Sequence, residues 1–151
     1  MKYKVMIVED QTMPRELFEL RVQASERFEL ALSIDNAALA DVYCLRFPVD
    51  LILMDVITRD GENGLDAAAR IKRAFPQIKI IIVTSMPECS YLKRAKEIGV
   101  ESFWYKEEQR ESLLDVMERT MNGESVYPGA SPELTLGMAS SYQFTERELD
   151  I

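Results

Sequence analysis

Six side chains of this 151-residue sequence stand just beyond short apolar runs, and their types suit one chemistry. Glu9 and Asp10 follow the run at 3–8, Asp55 follows 50–54, Thr84 and Ser85 follow 79–83, and Lys106 follows 101–105. If those runs are neighbouring strands, three carboxylates, two hydroxyls and one ammonium converge on one polar cluster. Carboxylates packed together repel. A hard divalent cation held through oxygen keeps them ionised, and magnesium is the natural choice. With charge offset in this way, a carboxylate can attack a phosphoryl group and become an aspartyl phosphate, while a lysine and a hydroxyl hold the transferred oxygens. Asp55 is the central candidate for that attack.

The elements that must position these groups are legible as alternating apolar and amphipathic segments. Strands are expected at 3–8, 29–34, 50–54, 79–83 and 101–105, and helices at 14–25, 37–46, 64–75, 89–98 and 110–122. Leu51-Ile52-Leu53-Met54 and Ile80-Ile81-Ile82-Val83 are apolar on both faces, as strands covered by helices on both sides require. Pro14 suits a first helical turn, and Gly99 and Gly123 read as helix stops. With right-handed crossovers, five βα units give an α/β fold: a flavodoxin-like, doubly wound, five-stranded parallel sheet in the order 2-1-3-4-5, with chemistry at the carboxyl ends of the strands.

The acidic pair Glu9-Asp10, Leu53-Met54-Asp55, Val83-Thr84-Ser85 and Lys106 together resemble a response-regulator receiver domain over about residues 3–122. The resemblance implies Asp55 as phosphoacceptor for a partner histidine kinase, and magnesium held by Glu9, Asp10, Asp55 and the backbone carbonyl of Ile57. It further implies that Thr84 and Lys106 meet the phosphoryl group, that Thr84 and Phe103 form a switch, and that Ile57 and Met86 tune the lifetime. Both tuning residues are apolar here, which predicts slow loss of the phosphoryl group. One departure is visible: Thr58-Arg59 stands where receivers carry Met-Pro, and Gly64 comes nine positions after Asp55 instead of eight. The loop is therefore expected to be longer and more polar.

Taken singly, Asp10, Asp55, Thr84 and Ser85 would more simply cap the helices that follow them. That explanation fails for the set, because capping predicts neither an acidic pair on one strand nor a lysine on another. The aromatic run Phe103-Trp104-Tyr105 is ordinarily sheet-face packing, and the eight methionines and two cysteines ordinarily fill core and helix faces. Two other functions compete. A haloacid-dehalogenase-type phosphatase also uses an aspartyl nucleophile and magnesium, but its Asp-x-Asp signature is missing, since position 57 is Ile. A pseudo-receiver, a pure interaction module, would have a decayed site, whereas every position here is filled.

Composition narrows the setting. The sequence has no histidine, which removes His-based acid–base catalysis and most zinc chemistry. A net charge of -8 disfavours direct DNA binding by this segment. Cys44 and Cys89 form no C-x-x-C pair, and no apolar stretch approaches the roughly 20 residues that span a bilayer, so a reducing cytoplasm is expected and no membrane partner. The expected organisation is a receiver at 1–123, a linker at 124–143 in which Ser131-Pro132-Glu133 opens a short helix, and a further domain beginning at 144–151. There Thr145-x-x-Glu148 forms a capping box that resembles the start of the helix-turn-helix domain of NarL/LuxR-type regulators. DNA contact through that missing domain, transcription control, and a phosphorylation-dependent homodimer through the helices at 14–25 and 110–122 are the corresponding expectations.

Overall fold

The computed structural model describes residues 2–58, 63–85, 88–107 and 112–128. Five strands, β1 (Tyr3–Val8), β2 (Phe28–Ile34), β3 (Leu51–Met54), β4 (Lys79–Thr84) and β5 (Ser102–Tyr105), form one parallel sheet in the order β2-β1-β3-β4-β5. Helices α1 (Thr12–Ala24), α2 (Ala40–Arg46), α3 (Gly64–Ala74) and α4 (Cys89–Ile98) fill the four crossovers, α5 (Leu113–Met121) follows β5, and a 3-10 turn at Ala37–Leu39 precedes α2. This is the expected flavodoxin-like topology, with each strand within two residues of its expected bounds.

The apolar strands split their side chains between two cores, as the period of two requires. Val5, Ile7, Leu51, Leu53, Ile81, Val83 and Trp104 pack against Phe18 and Val22 of α1 and Leu113, Val116 and Met117 of α5. Met6, Ile52, Met54, Ile80, Ile82, Phe103 and Tyr105 pack against Ala40 and Cys44 of α2, Leu65, Ala68 and Ile71 of α3 and Ala95 of α4. The central strands β1, β3 and β4 are thus covered on both faces, which holds their carboxyl ends rigidly side by side.

Gly99 and Gly123 end their helices with φ of 95° and 99°. In both, the glycine is the left-handed residue of a two-bond stop: Val100 N–H reaches Ala95 O and Glu124 N–H reaches Arg119 O, each at 3.0 Å. The α1 helix starts at Thr12, two residues earlier than expected, so Pro14 lies within its first turn rather than opening it.

Candidate functional site

Each site residue is held by its own strand and by a backbone bond to the next. Glu9 N–H donates to Ile34 O at 3.0 Å, Asp55 N–H to Val8 O at 3.0 Å, and Lys106 N–H to Thr84 O at 2.9 Å. Sheet pairing therefore runs one residue past the strands, and the side chains at those positions inherit its rigidity. Glu9, Asp10 and Asp55 each bring one carboxylate oxygen within 4.8 Å of the others'. Glu9 is fully buried and Asp55 is 7% exposed, while Asp10 is partly exposed.

Among the described residues one ammonium answers these acids. Lys106 Nζ lies 2.7 Å from Glu9 Oε1 and 3.4 Å from Asp55 Oδ2. Burial, then the neighbouring Glu9 charge, pushes the Asp55 carboxyl up to about 7 against the opposing pull of Lys106. Burial works against the Lys106 charge, but the Glu9 bond and both carboxylates outweigh it and raise its pKa. The donor set is all oxygen, negatively charged in excess and partly open at Asp10, which is what a hard divalent cation needs.

Thr84 ends β4 and is 1% exposed, on the same sheet face as Phe103, whereas Ser85 is exposed. Phe103 lies in the core on β5, three residues before Lys106. It is 2% exposed, with its ring 5.2 Å from that of Tyr105 and 6.2 Å from that of Tyr127. The two tyrosines thus enclose the ring. Ile57 pairs with Asn63 in an isolated antiparallel bridge and its side chain is 53% exposed, so it shields little of Asp55. Met86 lies outside the described residues, as do Arg59, the helix expected at Ser131-Pro132-Glu133 and the capping box at Thr145 and Glu148.

The capping explanation of the polar residues does not hold. Gln11, Asn63 and Glu88 occupy the N-cap positions of α1, α3 and α4, and of these only Asn63 caps with its side chain, at 2.7 Å from Leu65 N. Asp10, Asp55, Thr84 and Ser85 are left for other work.

Three positioning features escaped the sequence reading. Arg15 reaches back from α1 to donate to the Glu9 carbonyl at 2.9 Å, and the Gln11 N–H donates to Glu9 Oε2 at 3.2 Å, so both ends of Glu9 are held. Arg15 sits in the first turn of a helix that has no acidic residue there, a place where a cation opposes the helix dipole, so its bond to Glu9 gives it a local purpose. Gly64 opens α3 against the Asp55 main chain: its N–H meets Val56 O at 2.6 Å, and a β-carbon at this position would overlap the Asp55 carbonyl oxygen. Thr58 is buried, and its hydroxyl oxygen accepts from Ala37 N–H at 3.0 Å. The polar residue at the start of the lengthened loop therefore serves the turn before α2. Only the glycine was visible as a signal, through its spacing from Asp55.

Comparison with known proteins agrees with this arrangement. The response regulator receiver domain family matches residues 5–118. The response regulator VraR of Staphylococcus epidermidis is 31% identical over the whole of this chain and 74% of its own length. A DNA-binding, LuxR-family response regulator from Staphylococcus aureus superposes with a TM-score of 0.72 at 25% identity, covering 78% of this chain and 98% of that one. A LuxR-family two-component response regulator from an Aurantimonas species reaches 0.79 at 19% identity, covering 94% and 99%, and shares the fold. The order of the strands, the acids at their carboxyl ends and these matches together establish that the chain belongs to the response regulator receiver domain family and is the receiver of a two-component response regulator.

Proposed function

We propose that Asp55 accepts a phosphoryl group from a partner histidine kinase and that the receiver thereby controls a DNA-binding output. The observation that carries this is the convergence of Glu9, Asp10, Asp55 and Lys106 at the carboxyl ends of three strands, with acids outnumbering cations among the described residues. Glu9, Asp10, Asp55 and the Ile57 carbonyl hold magnesium, which supplies charge neutralisation to the carboxylates and to the incoming phosphoryl oxygens. An Asp55 oxygen attacks phosphorus, its new O–P bond forming as the N–P bond to the donor imidazole breaks. The departing imidazole takes its proton from solvent. Lys106 and the Thr84 hydroxyl bind the transferred oxygens, and Thr84 with Phe103 passes the change to the rest of the fold. Hydrolysis of the aspartyl phosphate by the domain itself is slow, because neither Ile57 nor Met86 offers a polar atom to orient water.

The wider organisation is proposed with it: receiver at 1–123, linker at 124–143, and a helix-turn-helix domain starting at 144–151. The similar LuxR-family protein from Staphylococcus aureus, a DNA-binding response regulator, supports transcription as the output. Exposed Met13, Leu17 and Leu20 on α1 support a homodimer contact through α1 and α5 that forms on phosphorylation. Among the described residues no helix is long and apolar enough to cross a membrane, which suits a cytoplasmic protein. Incubation with acetyl phosphate tests the chemistry. Magnesium-dependent, acid-labile and hydroxylamine-sensitive phosphate is expected on the wild-type protein and none on Asp55→Asn; equal labelling of the variant would assign the acceptor elsewhere.

A further inference from the structure

The stretch after α5 does not leave the domain directly. The turn at Gly123 sends it back along β5, the edge strand of the sheet. There Phe103 N–H donates to Val126 O at 2.9 Å, and Val126 N–H donates to Ser102 Oγ at 3.1 Å. Thr120 Oγ1 gives its proton to Val116 O at 2.7 Å, so in the 2.6 Å contact between the two hydroxyls Ser102 is the donor and Thr120 the acceptor. Ser102 and Thr120 are both fully buried, and this donor chain is completed by the Val126 N–H. Tyr127 closes the contact. Its hydroxyl donates to Val100 O at 2.6 Å, Lys96 Nζ lies 5.1 Å from its ring centroid, and its ring lies against that of Phe103.

Phe103 therefore has Tyr105 as its neighbour toward the acceptor site and Tyr127 on the side where β5 begins. The strand register places Thr84 opposite Tyr105 and Ile82 opposite Phe103. We propose that residues 124–128 form a strap that reads the phosphorylation state of Asp55 through Phe103, docked in the unphosphorylated receiver and loosened by phosphorylation. This rests on Asp55 being the acceptor. A phosphoryl group there competes with Glu9 for Lys106 and draws the Thr84 hydroxyl. Because Lys106 N–H is bonded to Thr84 O, the ends of β4 and β5 move together, and Phe103 shifts toward the site. Tyr127 is anchored to Val100 and Lys96 and does not follow, so the strap loses its aromatic partner and the Phe103–Val126 bond lengthens. Coupling is reciprocal: if phosphorylation weakens the strap, removing the strap favours the phosphorylated form.

The test follows amide hydrogen exchange at Phe103 and Val126 in the whole chain with magnesium, with and without beryllofluoride as the phosphoryl mimic. Exchange at both amides should quicken about 5-fold or more on binding, and Tyr127→Ala should tighten beryllofluoride binding by about the same factor. Tyr127→Phe, which keeps the ring and loses only the hydroxyl, should fall between the two and guards against simple misfolding of the alanine variant. Bound beryllofluoride, seen by fluorine NMR, with unchanged or slowed exchange and unchanged affinity in both variants would overturn the strap while leaving Asp55 as acceptor. Failure of the wild-type protein to bind beryllofluoride at all would overturn both.

Discussion

At the amino ends of the strands, charges come in matched sets. Lys4 of β1 pairs with Glu29 of β2, and the Lys4 N–H donates to the Asp50 carboxylate at 2.8 Å. Glu101, just before β5, binds Lys72 at 2.7 Å and accepts from Ile80 N–H at 2.9 Å, while Lys72 also reaches the carbonyls of Pro76 and Ile78. At the carboxyl ends, Glu9, Asp10 and Asp55 crowd together around Lys106. Among the described residues, the same sheet thus has one end whose charges are satisfied within the chain and one where three carboxylates share a single lysine ammonium. The first arrangement stabilises the fold; the second costs stability and makes sense when a cation and a phosphoryl group complete it.

Several substitutions sharpen this contrast. The largest effect is expected from Lys106→Met, which leaves the fully buried Glu9 without its ammonium and should cost about 3 kcal/mol in urea unfolding. Lys4→Met at the other end, where the partners are 38% and 44% exposed, should cost under about 1 kcal/mol. Equal losses would erase the distinction between the ends.

Removing a carboxylate should have opposite signs at the two ends. The Asp55 carboxyl, raised from 3.8 to about 7, keeps a proton in the folded chain that the unfolded chain releases. The contribution of Asp55 to stability therefore falls as pH climbs between those two values and levels off above them. Asp55→Asn escapes this cost, so without metal it should be roughly 2 kcal/mol more stable at pH 7.5, the advantage fading toward pH 4. Glu101→Gln should instead lose about 1 kcal/mol with its bond to Lys72. A destabilised Asp55→Asn at pH 7.5 would contradict the charge argument. Gly64→Ala, which drives a methyl group into the Asp55 carbonyl, should cost about 2 kcal/mol and slow acetyl phosphate labelling, whereas a silent variant would mean that α3 can slide away from Asp55.

How far the sequence reveals these features depends on their range. Strand order and the acidic cluster are legible because unbroken apolar runs such as 51–54 and 80–83 can only be covered strands, and the residue after a strand keeps its place through sheet pairing. Gly99 and Gly123 are legible because the left-handed helix stop has a residue preference of its own. Gly64 is legible as a spacing, but its reason, the close approach of α3 to the Asp55 main chain, exists only in three dimensions. Arg15 reads as one more exposed charge on α1, and nothing local says that it turns back to the Glu9 carbonyl. The 124–128 segment loses its helical period and reads as linker, because backbone bonds to an edge strand leave no side-chain pattern. Thr58 reads as loop polarity, whereas its partner, Ala37, lies 21 residues away.

The central claim, that the carboxyl end of the sheet is built to be completed by a cation, is tested most directly by magnesium-dependent stability of the wild-type protein and Asp55→Asn at pH 7.5. Without metal the variant should unfold at higher urea. Millimolar magnesium should raise the wild-type midpoint and narrow the gap, acting less on the variant, which has lost one of its three acids. A wild-type midpoint that ignores magnesium, or that shifts by the same amount as the variant's, would contradict the account.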